Sequence, residues 1–516
     1  MEISEAYDRV PYPSKFFNLT NPDHLAVRGK LLGLNPAPAE SCRVLELGCG
    51  NGSNLIAHAY KLKDASFVGI DISGGHIEAA VDSLRELGLK NIEFRRMDVM
   101  DLSEGDFGKF DYIIAHGLIS WIPAAVRKRV FRVCSELLNE QGIGFISYSA
   151  FPGSYYRMMV RDIIRFHTAD MQDPEEKVQG SLKILSMLAE NSTDKKIHKP
   201  IFEHELERHF KHSVSDIYHD DLSDFYHPLN FYQFNELLTG NGLQFLCEAE
   251  LHAMSLNPFS EEVRSFALGI PDLIRREQYL DYFRGRVFRQ TLFCREGLRI
   301  DREPDPAMLD KFLVATSMKP DSASPDLGSG KVVHFIGNRG QGIQIDLPLT
   351  KAALFLLGQA WGKAVGVPEL LQSAKEFLEQ NGITVEDPEA QEATTKTILL
   401  RIFENTDLIE FHTTYPDAEQ SVSEMPKLNR LARWQLGTAM NITSLFGLNV
   451  EIRDEVSVEL LKIADGSRTK AELLQGVEDF VENAGDSMDR NELPDDLGLW
   501  VYESLAELAR LGVFEA

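Results

Sequence analysis

Val44-Leu45-Glu46-Leu47-Gly48-Cys49-Gly50-Asn51-Gly52 is an apolar strand-like run that breaks into three alternating glycines, and the residues after it open a helical pattern. Glycines at a strand-to-helix junction let the backbone turn tightly and approach a nucleotide-like ligand without Cβ interference. A glycine-rich loop alone is a weak signal. Here Glu46 precedes it, and the next strand-like run, Phe67-Val68-Gly69-Ile70-Asp71, ends on a carboxylate able to accept hydrogen bonds from both hydroxyls of a ribose. A third acid, Asp98 of Met97-Asp98-Val99, falls where the following strand ends and can take a hydrogen bond from an adenine amino group. Ile72 and Val99, each next to one of these acids, are placed around the same ligand. Three acids at successive strand ends match one extended nucleoside; the alternative is that Glu46 and Asp98 merely cap helices or turns.

Outward from this loop, residues 43–47, 67–70, 92–95, 111–115 and 143–147 read as strands separated by amphipathic helical stretches. That rhythm predicts an α/β fold with a doubly wound, mostly parallel, Rossmann-like sheet. The helical stretch 23–34 would cover the sheet, giving a nucleoside-binding domain over residues 1–165. After Pro152-Gly153 the pattern turns helical with polar interruptions near 191–196, so residues 166–300 are expected to form a mostly helical middle domain. Residues 301–330, carrying Pro304, Pro306, Pro320 and Pro325 among Gly, Ser and Asp, read as a linker. In residues 331–516, Glu369-Leu370-Leu371-Gln372 with Phe377 recurs as Glu472-Leu473-Leu474-Gln475 with Phe480, and Leu408 and Phe411 answer to Leu511 and Phe514. Each copy begins with a strand (342–347; 449–453) and runs through helices to an apolar strand, the order of paired α+β winged-helix-like units.

A chain of 516 residues exceeds what one core usually supports. Its 79 acidic against 53 basic residues give a net charge of −26, which would repel a phosphate backbone, so nucleic acid is not an expected partner. Winged helices often bind DNA, but residues 331–516 carry about twice as many acids as bases, so an interaction or scaffolding role fits them better. Cys42, Cys49, Cys134, Cys247 and Cys294 form no C-x-x-C pair, so neither a cysteine zinc site nor a disulfide framework is indicated, and no metal is expected. The acidic start Met1-Glu2-Ile3-Ser4-Glu5 and the lack of any run of about twenty apolar residues predict a cytoplasmic protein without membrane insertion.

The loop Gly48–Gly52 resembles motif I of class I methyltransferases, with Glu46 as its leading acid and Asp71 as the motif II acid. A nicotinamide dinucleotide would ask for Gly-x-Gly-x-x-Gly, and here the third glycine falls one residue early. The fourth strand leads into His116-Gly117-Leu118-Ile119-Ser120-Trp121-Ile122-Pro123, where nucleobase amino-methyltransferases place Asn/Asp-Pro-Pro-Tyr, a motif absent here. Trp121 could wall an acceptor channel for a cationic amine, or be a loop residue anchored in the core. His116 is a candidate for the donor pocket or a base, or equally a structural histidine.

The wider chain resembles the bacterial methyltransferases that carry a methyltransferase regulatory domain, among them the rickettsial outer-membrane-protein lysine methyltransferases. The likeness rests on Tyr7-Asp8 with Pro11-Tyr12-Pro13, residues 46–52 followed by Asn54-Leu55, residues 116–123, and Ile146-Ser147-Tyr148 with Pro152-Gly153. Later landmarks are Tyr218-His219-Asp220-Asp221-Leu222, Phe288-Arg289-Gln290-Thr291-Leu292, Ala432-Arg433-Trp434-Gln435 and Ala464-Asp465-Gly466-Ser467-Arg468. Ser149 and Ser154 depart from it, standing where asparagine and tryptophan are usual.

The resemblance implies S-adenosylmethionine (SAM) as methyl donor, S-adenosylhomocysteine as product, and a protein lysine side chain as acceptor. It places Tyr12, Glu46, Gly48, Cys49, Gly50, Gly52, Asn54, Asp71, Ile72, Asp98, Val99 and His116 around the cofactor. Trp121, Tyr148 and Tyr218 are the acceptor-side candidates, each tyrosine being as readily a buried structural residue. A small-molecule methyltransferase with accessory lid or dimerisation domains and a non-catalytic SAM-binding regulator stay open, as does self-association into a homo-oligomer.

Overall fold

The strand β1 (Arg43–Leu47) has no solvent contact at Val44, Leu45 and Leu47, the pattern of a strand covered on both faces. Its neighbours in the computed structural model, which describes residues 10, 12, 15–416, 421–437, 441–452, 454–484, 494 and 496–515, complete a seven-stranded sheet. They are β2 (Ser66–Asp71), β3 (Ile92–Arg96), β4 (Phe110–Ala115), β5 (Leu138–Ser149), β6 (Leu243–Glu248) and β7 (Phe288–Arg295), in the order β3-β2-β1-β4-β5-β7-β6. All pairings are parallel except those of β7, which runs antiparallel to β5 and β6. Tyr7, Asp8, Pro11, Pro13 and Arg453 lie outside the described residues.

Side chains alternate between the sheet's two faces. Val44, Phe67, Tyr112 and Phe145 point to one face, under α1 (Pro22–Leu31), α2 (Ser53–Lys61) and α3 (Gly74–Leu87). Beyond the one-turn α4 (Glu104–Phe107), the other face sets Leu45, Val68, Ile113 and Ile146 against α5 (Ala124–Leu137) and, further along, Phe231 and Phe234.

The middle segment supplies helices α6 (Ser154–His167), α7 (Pro174–Asn191), α8 (His198–Phe210), α9 (Val214–Leu222), α10 (Phe231–Thr239), α11 (Glu261–Leu268) and α12 (Leu273–Arg284). It also contributes β6 and β7, which corrects the expected boundary at residue 165: the sheet is finished by residues 243–295. The run Thr291-Leu292-Phe293-Cys294 is solvent-free because it lies inside the sheet, between β5 and β6.

Two further cores follow. In the first, β8 (Leu313–Thr316) pairs with β12 (Val365–Gly366) and β13 (Ile409–His412), while β9 (Lys319–Pro320), β10 (Val333–Ile336) and β11 (Gly342–Ile345) form a second small sheet. Around them pack α13 (Pro348–Gln359), α14 (Val367–Gln380) and α15 (Pro388–Asn405). The second core repeats the order: hairpin Asn441–Thr443 with Asn449–Glu451, helices Glu455–Ile463, Lys470–Ala484 and Leu497–Arg510, then Phe514 bridging Leu428. Leu370 and Leu473 fall at the same buried turn of equivalent helices. Residues 301–330 are not a linker, since Leu309, Phe312, Val314, Met318 and Leu327 are buried in the first of these cores. Among the described residues no helix is long and apolar enough to cross a membrane.

Candidate active site

Chain connections leave β1 and β4 toward opposite edges of the sheet, which opens a crevice beyond their C-terminal ends. Loops 48–52 and 116–123 both meet it. Gly48, Gly50 and Gly52 have φ of 73°, 54° and 77°, the left-handed region that a side chain disfavours. At Gly52 a Cβ would also sit 2.3 Å from the Phe94 ring, so helix α2 reaches the sheet only through glycine.

Two sets of hydrogen bonds hold the loop open. The Gly48 and Cys49 amides donate to Ile70 O at 2.9 and 3.0 Å. The Gly50 amide donates to Asp71 Oδ2 at 2.9 Å, while Asp71 Oδ1 accepts from the Ser73 amide at 2.9 Å. Asp71 therefore ties the β1 and β2 loops together, and each of its oxygens keeps a second lone pair for a ligand hydroxyl. His76 Nδ1 stands 3.9 Å from Oδ1.

Glu46 is 4% exposed. Its Oε1 accepts from Asn54 Nδ2 at 2.9 Å, and its Oε2 is buried without a hydrogen-bond partner. Asn54 also exchanges hydrogen bonds with Thr20, whose hydroxyl lies 3.1 Å from His58 Nε2. Burial, reinforced by the negative charge of Asp71 and opposed by the Asn54 bond, pushes the Glu46 carboxyl up to about 8. A buried carboxyl oxygen without a partner, beside a turn of left-handed glycines, fits a ligand that brings hydrogen-bond donors, as SAM does. Glu46, Gly48, Gly50 and Asp71 would hold it, and its sulfonium would supply an already activated methyl group.

A carboxyl whose folded pKa is raised keeps its proton longer in the native state, so stability falls as pH climbs from 4.5 to about 8 and levels above that. The difference corresponds to about 5 kcal/mol. We expect Glu46→Gln to flatten this slope in urea unfolding compared at pH 5 and pH 8 while weakening SAM binding; parallel slopes in the two proteins would contradict the buried-acid assignment.

The other cofactor-side candidates fall as follows. Asp98 Oδ1 accepts from the Met100 amide at 2.9 Å, a turn-capping bond that leaves its second oxygen available. Val99 is half-buried and Ile72 exposed at its end of the crevice. Cys49 is buried. His116 stacks on Phe17 with ring centroids 3.8 Å apart and faces Phe145 at 5.8 Å, and burial holds it neutral with a pKa of about 4. Tyr12 meets the His219 ring edge-on at 5.6 Å, and His219 bonds the Val10 carbonyl, so Val10 and Tyr12 lie against α9.

On the acceptor side the candidates separate. Trp121 packs on Tyr226 at 4.9 Å, and the Arg157 and Arg161 guanidinium carbons stand 5.6 and 5.5 Å from its ring centroid. The face available for cation–π attraction is thus occupied by the protein's own cations. Asp220 and Asp221 hold Arg157 at 3.2 and 3.1 Å. Tyr148 is 1% exposed, stacks on Phe234 at 4.4 Å, and has its hydroxyl inside the core, on the sheet face opposite Val44. Tyr218 is half-buried on α9 against His219, at 5.3 Å. The structure therefore brings Glu46, Asn54, the glycines and Asp71 together, and keeps Tyr148 apart from them. Thr20, Phe17, Tyr226, Arg157 and Arg161 escaped the sequence reading because their roles come from contacts distant in the chain. Of the two departures, the Ser154 hydroxyl accepts from Tyr226 at 3.1 Å and the Ser149 amide donates to Ser120 Oγ at 2.9 Å, so both sit under the Trp121 loop.

Residues 38–205 match the Methyltransferase domain family, and residues 214–295 match the predicted methyltransferase regulatory domain. An uncharacterized protein of Rickettsia prowazekii is 38% identical over 191 residues, 36% of this chain and 76% of that protein. A second uncharacterized protein from the same organism is 28% identical over 487 residues, 92% of this chain and 86% of its own length. PKMT2 from Rickettsia typhi in complex with AdoHcy shares the fold with a TM-score of 0.85 at 24% identity, over 98% of this chain and 100% of that one. With the strand order, the glycine turn and the Glu46–Asp71 pair already in place, these likenesses settle the family: the chain is a SAM-dependent methyltransferase of the group that carries a methyltransferase regulatory domain.

Proposed function

We propose that the methyl acceptor is an amine, a lysine side chain of a protein substrate. The observation that carries this reading is the aromatic end of β4, where His116 lies neutral beside Phe17 and Phe145 and Trp121 leans on Tyr226. A lysine ammonium, with a pKa of about 10.4, has no lone pair and must shed its proton to attack the methyl group; an apolar site favours the neutral amine. The arginines over Trp121 disfavour an approaching ammonium in the same way. The fold agreement with PKMT2 along the whole chain supports a related task, and the net charge of −26 would draw basic protein segments.

A second reading has its own observation. Arg157 and Arg161 beside the acceptor loop could steer the carboxylate of a small molecule, with the later domains serving as lid or dimerisation surface. Incubation with labelled SAM, a panel of surface proteins and peptides, and cell-extract metabolites separates them. Label on protein lysines supports the first, label confined to small molecules overturns it, and tight SAM binding without turnover on any acceptor would point to a regulator. Trp121→Ala should lower kcat ten- to a hundredfold while SAM affinity stays within about threefold; an equal loss of SAM affinity would move Trp121 to the donor side.

A further inference from the structure

Helix α1 and strand β13 meet at a junction that joins side chains 389 positions apart in the chain. Asp23 is the fixed point of this junction. Its carboxylate accepts from His412 Nδ1 at 2.9 Å, from the Thr413 amide and hydroxyl at 2.7 and 2.5 Å, and from the Thr414 amide at 3.2 Å. With Nδ1–H committed to Asp23, the His412 ring turns Nε2 toward Glu410 Oε2 at 3.5 Å, where it has no hydrogen-bond partner. His24 approaches the same oxygen with Nε2 at 3.9 Å, and its Nδ1 is likewise buried without a partner. The histidine side chains are 5% and 4% exposed, while that of Glu410 is 45% exposed. Arg28, the nearby cation, spends its guanidinium on the Ala249 and His24 carbonyls at 2.7 and 3.1 Å.

We infer that His24, Glu410 and His412 form a binding site for one divalent transition-metal ion of the zinc class, with Asp23 as the outer carboxylate that orients His412. One donor atom from each of the three lies within 4.8 Å of the others. Zinc bonds of about 2.0–2.1 Å put neighbouring ligands of a tetrahedral site roughly 3.3 Å apart. The His412–Glu410 separation of 3.5 Å is already near that value, and the remaining gaps, all within 4.8 Å, have to close by up to about 1.5 Å. Two imidazoles and a carboxylate suit such an ion rather than magnesium or calcium, and a carboxylate on the far nitrogen of a ligating histidine is the usual second layer of these sites. Glu410 opens to solvent, so water can take the fourth position. The ion would pin the first C-terminal unit to the helix that covers the sheet. The cysteine count excluded only thiolate sites, and no local spacing links His24 to His412.

Tag-free full-length protein, stripped with chelator and dialysed, is titrated with zinc chloride by calorimetry. We expect one site of micromolar or tighter affinity and a higher Tm with zinc than with chelator. His24→Gln and Glu410→Gln should each weaken that site at least tenfold and abolish the visible bands of bound cobalt(II). No saturable one-to-one binding, or binding unchanged in the variants, overturns the assignment. Should His24→Gln fail to fold, Glu410→Gln decides alone, because its side chain is 45% exposed and glutamine matches it in size.

Discussion

Asp71→Ala is expected to weaken SAM binding at least a hundredfold, read by calorimetry, with the protein still folded. The carboxylate does two things at once. It holds the Gly50 and Ser73 amides at 2.9 Å each, and in the proposed donor site its remaining lone pairs accept from a ribose. Hydrogen bonds to a charged group contribute about 1.5–3 kcal/mol each, and stranding the donors adds to the loss. A hundredfold change needs only about 2.7 kcal/mol, so losing the loop tie and the ribose acceptor together exceeds it. Global stability should suffer less, because Gly48 and Cys49 remain anchored to Ile70 O and the strand pairing of β1 with β2 is untouched. Asp71→Asn should fall between, as one amide oxygen can serve one of the two backbone donors while its NH2 opposes the other. Unchanged SAM affinity in Asp71→Ala would remove this residue from the donor site.

Much of this geometry was legible in the sequence because it is encoded locally. The three glycines, the acid two residues before them and the acid at the next strand end all lie within one strand-helix-strand unit, and periodicity suffices to place them. The C-terminal duplication was legible for the same reason: Leu370 with Leu473 and Phe411 with Phe514 repeat inside helices and strands of matching order. What was not legible depends on distant partners. Phe288–Arg295 is a sheet strand only by pairing with β5 and β6, and the proline-rich stretch 301–330 reads as a linker although its apolar residues fill a core made by helices further on. Trp121 reads as an acceptor wall or as a residue anchored in the core, since nothing near it in sequence announces Arg157, Arg161 or Tyr226. Tyr148 follows the same logic: the alternation along β5 that buries it is visible, but the helix carrying Phe234 that covers it is not.

Arg289→Met should leave little or no folded protein at pH 8. Arg289 is 1% exposed and binds three carboxylates: Nη1 to Glu248 at 2.6 Å, Nη2 to Glu277 at 3.1 Å, and Nε and Nη2 to Asp281 at 2.9 and 2.8 Å. Its guanidinium also lies 3.9 Å from the centroid of the Phe231 ring. Methionine could replace the packing but none of the charge. Removing one partner from a buried ion pair costs about 3–5 kcal/mol, and here three acids lose the same cation, against a total domain stability of about 5–15 kcal/mol. Burial already raises the Glu277 and Asp281 carboxyls despite the arginine. Without it they rise further, and raised carboxyl pKa values give stability that is present at low pH and lost as pH climbs through the folded values. Arg289→Met should therefore be more stable at pH 5 than at pH 8, and adding Glu248→Gln with Asp281→Asn should recover folded protein at pH 8. Arg289→Lys keeps the charge but cannot fork to three acceptors, so it should fall between the two. Soluble Arg289→Met with an unchanged Tm at pH 8 would mean that the carboxylates find other partners or protons at no cost, and that β7 is held in the sheet by its backbone and apolar contacts alone.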